Sequence, residues 1–162
     1  MLVAFVVTVV YTDWRWQRIP NVATYPTMLV GLVLGGAESL SGGFGFPGEI
    51  LRGGLVDHVA GVVVAFLVSY PFYAAGGLKA GDAKLLMAVG AVRGTAFLLY
   101  AAFYGAIIGG FIAILFIALR RLAPRDGAKP TIGGLLHTWI PYGVALGLGA
   151  LVALAQEMSR LS

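Results

Sequence analysis

Two aspartates are the residues of this 162-residue sequence whose type and position best suit chemistry. Asp13 closes the first apolar segment and Asp82 opens the fourth. An ionisable side chain at membrane depth is costly, so each carboxylate needs a reason to be there. Two carboxylates at one depth can share a proton, because adjacent like charges do not both ionise. The ionised one can take a proton from water while the protonated one polarises a carbonyl group, which predicts a water-activating pair.

Each of the two aspartates also has a purely structural interpretation, which the residues alone leave open. Asp13 precedes Arg15 and Arg18, so it could be an interfacial carboxylate paired with an arginine. Asp82 follows Gly81 and suits the N-cap of a helix. Of the other acidic residues, four are expected on the opposite side of the membrane and one in a solvated ion pair of a basic loop. The four are Glu38, Glu49, Asp57 and Glu157, and the fifth is Asp126.

Metal and cofactor chemistry finds little support in the sequence. His58 and His137 lie far apart, without the spacing of metal ligands, and each is expected to be a solvated or capping residue. The chain has no cysteine, which excludes disulfides, thiol chemistry and cysteine-based zinc sites. We therefore expect neither a metal ion nor a cofactor.

The composition indicates that Asp13 and Asp82 belong to a membrane protein. Hydrophobic residues make up 59% of the chain and charged residues 11%, with a mean hydropathy of +0.91. A soluble domain would carry about a quarter of its residues as charged side chains, so an ordinary water-soluble globule is excluded. The net charge of +4 is carried between apolar segments, which favours a role in membrane orientation over nucleic-acid binding. No repeat is visible, and the chain is predicted to be one integral-membrane domain over residues 1–162.

The elements that would position the pair are six helical segments, which predict an all-α polytopic membrane protein. Their predicted bounds are Met1–Thr12, Val22–Leu40, Leu55–Ala75, Leu85–Val92, Thr95–Leu119 and Trp139–Ala155. A full span needs about 20 residues, so the first and fourth are short. The first could continue through Asp13–Trp16. Pairs of glycines four residues apart predict close helix packing at Gly31–Gly35, Gly105–Gly109 and Gly143–Gly147.

The distribution of lysine and arginine predicts an orientation. If the loop after the first segment is cytoplasmic, eight basic residues lie on that side and three on the other, which follows the positive-inside rule. The eight are Arg15, Arg18, Lys79, Lys84, Arg120, Arg121, Arg125 and Lys129, and the three are Arg52, Arg93 and Arg160. Both termini are then outside the cytoplasm, and Asp13 and Asp82 are near its membrane face.

Three stretches of the chain resemble motifs of the type IV prepilin peptidases. YTD at residues 11–13, with RIPN at residues 18–21, is similar to the first aspartate motif of that family. GGLKAGDAKLL at residues 76–86 resembles the second, GxGD-type motif. IPYG at residues 140–143 is similar to the start of the family's last helix. The likeness covers nearly the whole chain in order, length and helix count.

The resemblance implies an intramembrane aspartic peptidase with Asp13 and Asp82 as its catalytic pair. Gly81 and Lys84 would belong to the supporting loop, and no metal or cofactor would be needed. The implied substrate is a prepilin or prepilin-like protein whose hydrophobic segment lies in the bilayer. Its short basic leader would be removed at the cytoplasmic face of the inner membrane. The sequence specifies no particular oligomeric state.

The chain departs from the family pattern in two places. Lys79 stands where GxGD has its first glycine, and lysine does not readily take the positive φ values open to glycine, which puts the path of the loop in doubt. The paired CxxC motifs of bifunctional members, which are linked to N-methylation of the mature pilin, are not found in the sequence. We therefore expect no methyltransferase activity and a short, single-function form like those of Flp/Tad-type or archaeal systems.

Three other functions are compatible with a small polytopic chain. A proton- or ion-coupled transporter would use intramembrane carboxylates to carry protons, but it predicts acidic residues near mid-bilayer and often an internal repeat. A non-catalytic scaffold would use the glycine faces for packing alone. A GxGD protease for other single-span substrates, such as signal-peptide remnants, is the third. The RIPN motif and the short chain favour prepilins.

Overall fold

The computed structural model of the protein describes residues 1–41, 53–122 and 142–161, and it is entirely helical over those ranges. Five helices follow one another: α1 (Leu2–Trp16), α2 (Asn21–Ser41), α3 (Gly54–Ala74), α4 (Ala80–Leu122) and α5 (Tyr142–Leu161). The predicted all-α class is confirmed. The first helix continues past Asp13, as the short first segment suggested, and Asp82 lies inside the first turn of α4. The predicted start of the last segment, residues 139–141, lies outside the described residues.

Helix α4 contains a sharp break at Gly94, whose φ of 75° and ψ of −175° are not helical. Residues 80–93 form a first arm and residues 95–122 a second, which correspond to the predicted fourth and fifth segments. Arg93 at the end of the first arm pairs with Glu157 near the end of α5. Gly109 in the second arm lies against Tyr142 at the start of α5. The second arm therefore runs back along α5, in the direction opposite to the first.

The outer surface of the helices is apolar, as a lipid-facing surface requires. Among the described residues, three stretches are long and apolar enough to cross a membrane: Gly54–Ala74, Ala80–Leu115 and Tyr142–Arg160. Large side chains such as Leu29, Phe103 and Phe111 are more than half exposed. The membrane class is supported, whereas the predicted six separate crossings are not confirmed.

Glycines bring the backbones of the helices into direct contact. A Cβ atom added to Gly61 of α3 would lie 2.5 Å from the carbonyl oxygen of Gly90 in α4. A Cβ added to Gly105 would lie 2.9 Å from the side chain of Leu146 in α5, and Gly31 lies equally close to the backbone of α4. The predicted use of glycine for close packing is confirmed. A core of α1, α4 and α5 side chains fills the interior, among them Val6, Val9, Leu85, Val89, Leu98 and Ala150.

A cluster of buried polar side chains lies at the end of the bundle where α3 begins, and it corrects one expectation. His58 is 1% exposed, so the prediction of a solvated histidine is wrong. Its Nδ1 atom lies 3.1 Å from the carbonyl oxygen of Gly31 and 2.7 Å from that of Ala91, and Nε2 lies 3.4 Å from Oε2 of Glu38. The histidine is buried because it joins three helices at this end.

The acidic residues that were expected on the side opposite to Asp13 and Asp82 lie at this same end where the structure describes them. Asp57 is also buried at this end, where Oδ1 accepts a hydrogen bond of 3.2 Å from the N–H of Thr95. Glu38, Asp57 and Glu157 thus lie at the end of the bundle opposite to Asp13 and Asp82, as predicted. The remaining residues of these predictions, Glu49, Arg52, Arg125, Asp126, Lys129 and His137, lie outside the described residues.

Candidate active site

Asp13 lies in the last turn of α1, and the first turn of α5 covers its carboxylate. The residue is 3% exposed, and its Oδ2 atom accepts a hydrogen bond of 3.2 Å from the N–H of Val144. The unpaired N–H groups and the helix dipole at the N-terminus of α5 favour an anion there. A Cβ atom added to Gly143 would lie 2.6 Å from the same oxygen. Among the described residues no ion pair joins Asp13 to an arginine, so that structural alternative is wrong.

Asp82 lies in the first turn of α4 and is 2% exposed. Its Oδ2 atom accepts a hydrogen bond of 3.0 Å from the N–H of Lys79, the residue that precedes the helix. A side chain at the third helical position that bonds back to the N–H before the helix forms one half of a capping box. Asp82 therefore does contribute to the helix start, and this bond also fixes the direction of its carboxyl group.

The two aspartates line one cavity. Its volume is about 260 Å³, and the other lining residues are Gln17, Arg18, Ile19, Lys79 and Gly81. This is ample room for several water molecules. The charge of Asp13 acts on the carboxyl group of Asp82, and the charge of Lys79 acts on both. The structure thus brings together the two carboxylates that the sequence singled out, with water-sized space beside them.

The loop before Asp82 resolves the doubt raised by Lys79. Among the described non-glycine residues, positive φ is confined to Gln17, so Lys79 has an ordinary backbone conformation. The left-handed position of this loop is Gly76, with a φ of 76°. The carbonyl oxygen of Lys79 accepts hydrogen bonds from the N–H groups of Asp82 and Ala83, which begin the helix. A lysine at position 79 is therefore compatible with the loop path.

The two predicted supporting residues have different surroundings. Gly81 lines the cavity, and a Cβ atom there would lie 3.2 Å from Cβ of Ile19, tighter than ordinary contact. Lys84 is not one of the lining residues. Its Nζ atom donates a hydrogen bond of 3.0 Å to Oδ1 of Asn21 and lies 5.2 Å from the centroid of the Tyr25 ring. Lys84 therefore joins α4 to α2 beside the site.

Sequence reasoning missed several residues that shape the cavity. Val144 contributes through its backbone N–H, so its side-chain type carries no signal. Gly143 belongs to the IPYG stretch, which marked the segment but not the contact with Asp13. Gln17 lies between the YTD and RIPN fragments of the first aspartate motif, and Arg18 is the first residue of RIPN, so both could have been considered from their positions alone.

The described residues contain no group of three or more histidine, cysteine, aspartate or glutamate side chains placed to hold a metal ion. The pair of aspartates has no third acidic or histidine ligand there. Its immediate polar partners are backbone N–H groups, which orient carboxylates rather than share a cation with them. The expectation of a metal-free site stays a prediction.

The fold and the cavity define a class: a helical membrane protein with two buried aspartates on one water-sized cavity. A model of the type IV leader peptidase family matches residues 1–114, which include Asp13 and Asp82. The chain belongs to this family, and the earlier resemblance is confirmed at that level. No curated protein and no solved structure gives a significant match.

Proposed function

We propose that the protein is an aspartic endopeptidase that uses Asp13 and Asp82 to remove the leader from type IV prepilins or prepilin-like proteins. The observation that carries the proposal is the burial of both aspartates on one cavity in a chain of the leader peptidase family. A buried carboxylate at membrane depth is costly, so its presence there needs a reason. Two of them on one cavity favour chemistry over structural support alone.

The mechanism is water attack with one proton shared between the two carboxyl groups. The ionised carboxylate takes a proton from a water molecule, whose oxygen bonds to the scissile carbonyl carbon, while the protonated carboxyl group donates to the carbonyl oxygen. The tetrahedral intermediate collapses when the C–N bond breaks and a proton passes to the leaving amine. The pair then holds one proton again. Val144 and Lys79 each hold one carboxyl group by a backbone N–H, which reduces the reorganisation that each step needs.

The position of the cavity suits a bond close to the membrane boundary. Exposed aromatic side chains surround this end of the bundle: Tyr11, Trp14 and Trp16 follow one another on α1, and Phe72 and Tyr73 lie at the end of α3. Aromatic residues gather at the interface between lipid and water. A substrate whose apolar segment lies along the exposed helix faces would present the start of that segment, and its leader, to the cavity.

The cytoplasmic face of the inner membrane is the side we propose for the cavity. Arg15, Arg18, Lys79 and Lys84 lie at the end that carries the cavity, whereas Arg93 and Arg160 lie at the opposite end. Arg93 pairs with Glu157 of α5, and Arg160 lies over the ring of Tyr100 in the second arm of α4. An excess of basic residues at one end favours a cytoplasmic location for that end. A basic leader would remain on the same side.

Two further expectations remain part of the proposal. The protein is expected to lack methyltransferase activity, which an assay of methyl transfer from S-adenosylmethionine to the processed substrate would test. The transporter alternative is disfavoured because both aspartates lie at helix ends. Proton uptake into liposomes that contain the protein would support that alternative.

The decisive experiment compares Asp13→Asn and Asp82→Asn with the unaltered protein, purified and reconstituted in liposomes. The substrate is a prepilin with a short basic leader before its apolar segment. We expect each variant to lose cleavage by about 10²- to 10⁴-fold, since each removes one partner of the acid–base pair. Asp57→Asn is the matched control, because Asp57 is equally buried but lies at the opposite end. Near-normal cleavage by either variant, or an equal loss in the folded control, contradicts the proposal.

A further inference from the structure

Gln17 has a backbone conformation that its residue type does not explain. It follows the last residue of α1 with φ 52° and ψ 36°, in the left-handed region. Its N–H donates a hydrogen bond of 2.9 Å to the carbonyl oxygen of Asp13, which ends the helix. Glycine is the usual residue at such a position, because a side chain there is strained. A glutamine at this place therefore needs a reason that lies in its side chain.

The side chain of Gln17 lies at the cavity with an unused hydrogen-bond acceptor. Gln17 lines the cavity together with Asp13 and Asp82. Its Oε1 atom is buried and has no hydrogen-bond partner among the described residues. Buried polar atoms in native proteins nearly always have a partner, because an unpaired one loses its hydration without compensation. The oxygen is thus placed for a donor that arrives with a bound molecule.

We propose that Gln17 is a substrate-binding residue whose side-chain Oε1 accepts a hydrogen bond from a backbone N–H of the substrate beside the scissile bond. This inference rests on the proposed peptidase function. Each peptide unit that enters the cavity carries an N–H that needs an acceptor once it leaves water. A neutral amide supplies that acceptor without adding a charge next to the pair. Because Gln17 lies one helical turn after Asp13, the bond would align the peptide with the attacking water.

Two substitutions separate this role from a structural one. Gln17→Gly removes the side chain and relieves the positive φ, so the free energy of unfolding should stay equal or rise. Gln17→Met keeps the length of the side chain and its backbone strain but removes the amide. We expect both variants to lose cleavage efficiency, kcat/KM, by on the order of tenfold, the value of one hydrogen bond. If Gln17→Gly cleaves as fast as the unaltered protein, the proposal is wrong.

The identity of the donor is tested with synthetic substrates. Single peptide bonds next to the scissile bond, but not that bond itself, are replaced by esters, which lack the N–H. One of these esters should lower kcat/KM of the unaltered protein by about tenfold and should lower that of Gln17→Gly and Gln17→Met no further, because coupled changes are not additive. Additive losses at every ester position overturn the proposal. Failure of the unaltered protein to cleave the all-amide peptide would instead contradict the peptidase function.

Discussion

Gly143, the second residue of α5, lies directly against the carboxylate of Asp13 in α1. A Cβ atom at position 143 would be 2.6 Å from Oδ2 and 2.8 Å from Cγ of Asp13. Those distances are shorter than any van der Waals contact, so the carboxylate and a methyl group cannot occupy their places together. The absence of a side chain at Gly143 is therefore a condition for the hydrogen bond between Asp13 and Val144.

Gly143→Ala is expected to lower cleavage about 100-fold, because a displacement of roughly 1 Å in a reacting group has an effect of this size. The initial rate of leader removal by the reconstituted variant measures it. Gly110→Ala is the matched control, since a Cβ there meets nothing within 4 Å. An exposed helical glycine replaced by alanine should leave cleavage unchanged and raise the free energy of unfolding by a few tenths to 1 kcal/mol. Equal rates for the two variants would contradict the importance of the Asp13 contact.

Much of the fold and the core of the candidate site could be predicted because charge is scarce in this chain. Asp13 and Asp82 stood out as carboxylates at the ends of apolar segments, and they line one cavity. Uninterrupted apolar runs predicted the helices, and the gap between the fourth and fifth predicted segments falls at Gly94. These features are local in the sequence, so a single chain reveals them.

The features that were not predicted depend on contacts between distant parts of the chain. His58 was expected to be solvated or capping because it is a single histidine at the edge of its segment, without the spacing of a metal ligand. Its partners are carbonyl oxygens of Gly31 and Ala91 on two other helices. The hydrogen bond from the N–H of Val144 to Asp13 could not be predicted either, since every residue except proline carries an N–H group. Gln17 has a left-handed backbone conformation but is not a glycine, the residue type that usually indicates such a conformation in a sequence.

The loop before Asp82 offers a test within one pair of neighbouring glycines. Gly76 has a positive φ of 76°, whereas Gly77 does not, and a Cβ on Gly77 would make an ordinary contact of 3.6 Å. Gly76→Ala should lower the free energy of unfolding by about 1–2 kcal/mol, because an L-residue is strained in the left-handed region. It should also slow cleavage by loosening the N–H of Lys79 that orients Asp82. Denaturant unfolding and initial rates measure both effects.

Gly77→Ala is the control for that loop, with near-normal stability and cleavage expected. Lys79→Gly is expected to leave the rate of cleavage without any gain from relieved backbone strain, since Lys79 does not have the positive φ that favours glycine. A more stable Gly76→Ala variant would show that the left-handed position is placed elsewhere in the loop.

The reversal of α4 depends on Gly94 in a second way. Besides its φ of 75°, the residue leaves no room for a Cβ, which would collide with the carboxylate of Asp57. Gly94→Ala is therefore expected to lower the free energy of unfolding by about 2–4 kcal/mol, from backbone strain and displacement of Asp57 together. Gly36→Ala, where a Cβ meets nothing within 4 Å, is the comparison. A loss in Gly94→Ala no larger than in that comparison would contradict the close contact with Asp57.

His58 and Glu38 form a buried pair whose contribution is to stability rather than to chemistry. Two carbonyl oxygens face Nδ1 of His58, so this nitrogen carries a proton, and Nε2 lies 3.4 Å from Oε2 of Glu38. His58→Ala should lower the free energy of unfolding by about 2–4 kcal/mol, since it leaves a cavity and a buried carboxyl group without its partner.

The pairing itself is measured by a double-mutant cycle. Glu38→Gln alone should also destabilise the protein, and the double variant should lose less than the sum of the two, because both changes remove the same contact. The pair lies at the opposite end of the bundle from Asp13 and Asp82, so the folded fraction of each variant should cleave at the normal rate. Unfolding in denaturant and the initial rate per folded molecule give the two quantities. Losses that add within about 0.5 kcal/mol would show that His58 and Glu38 act independently.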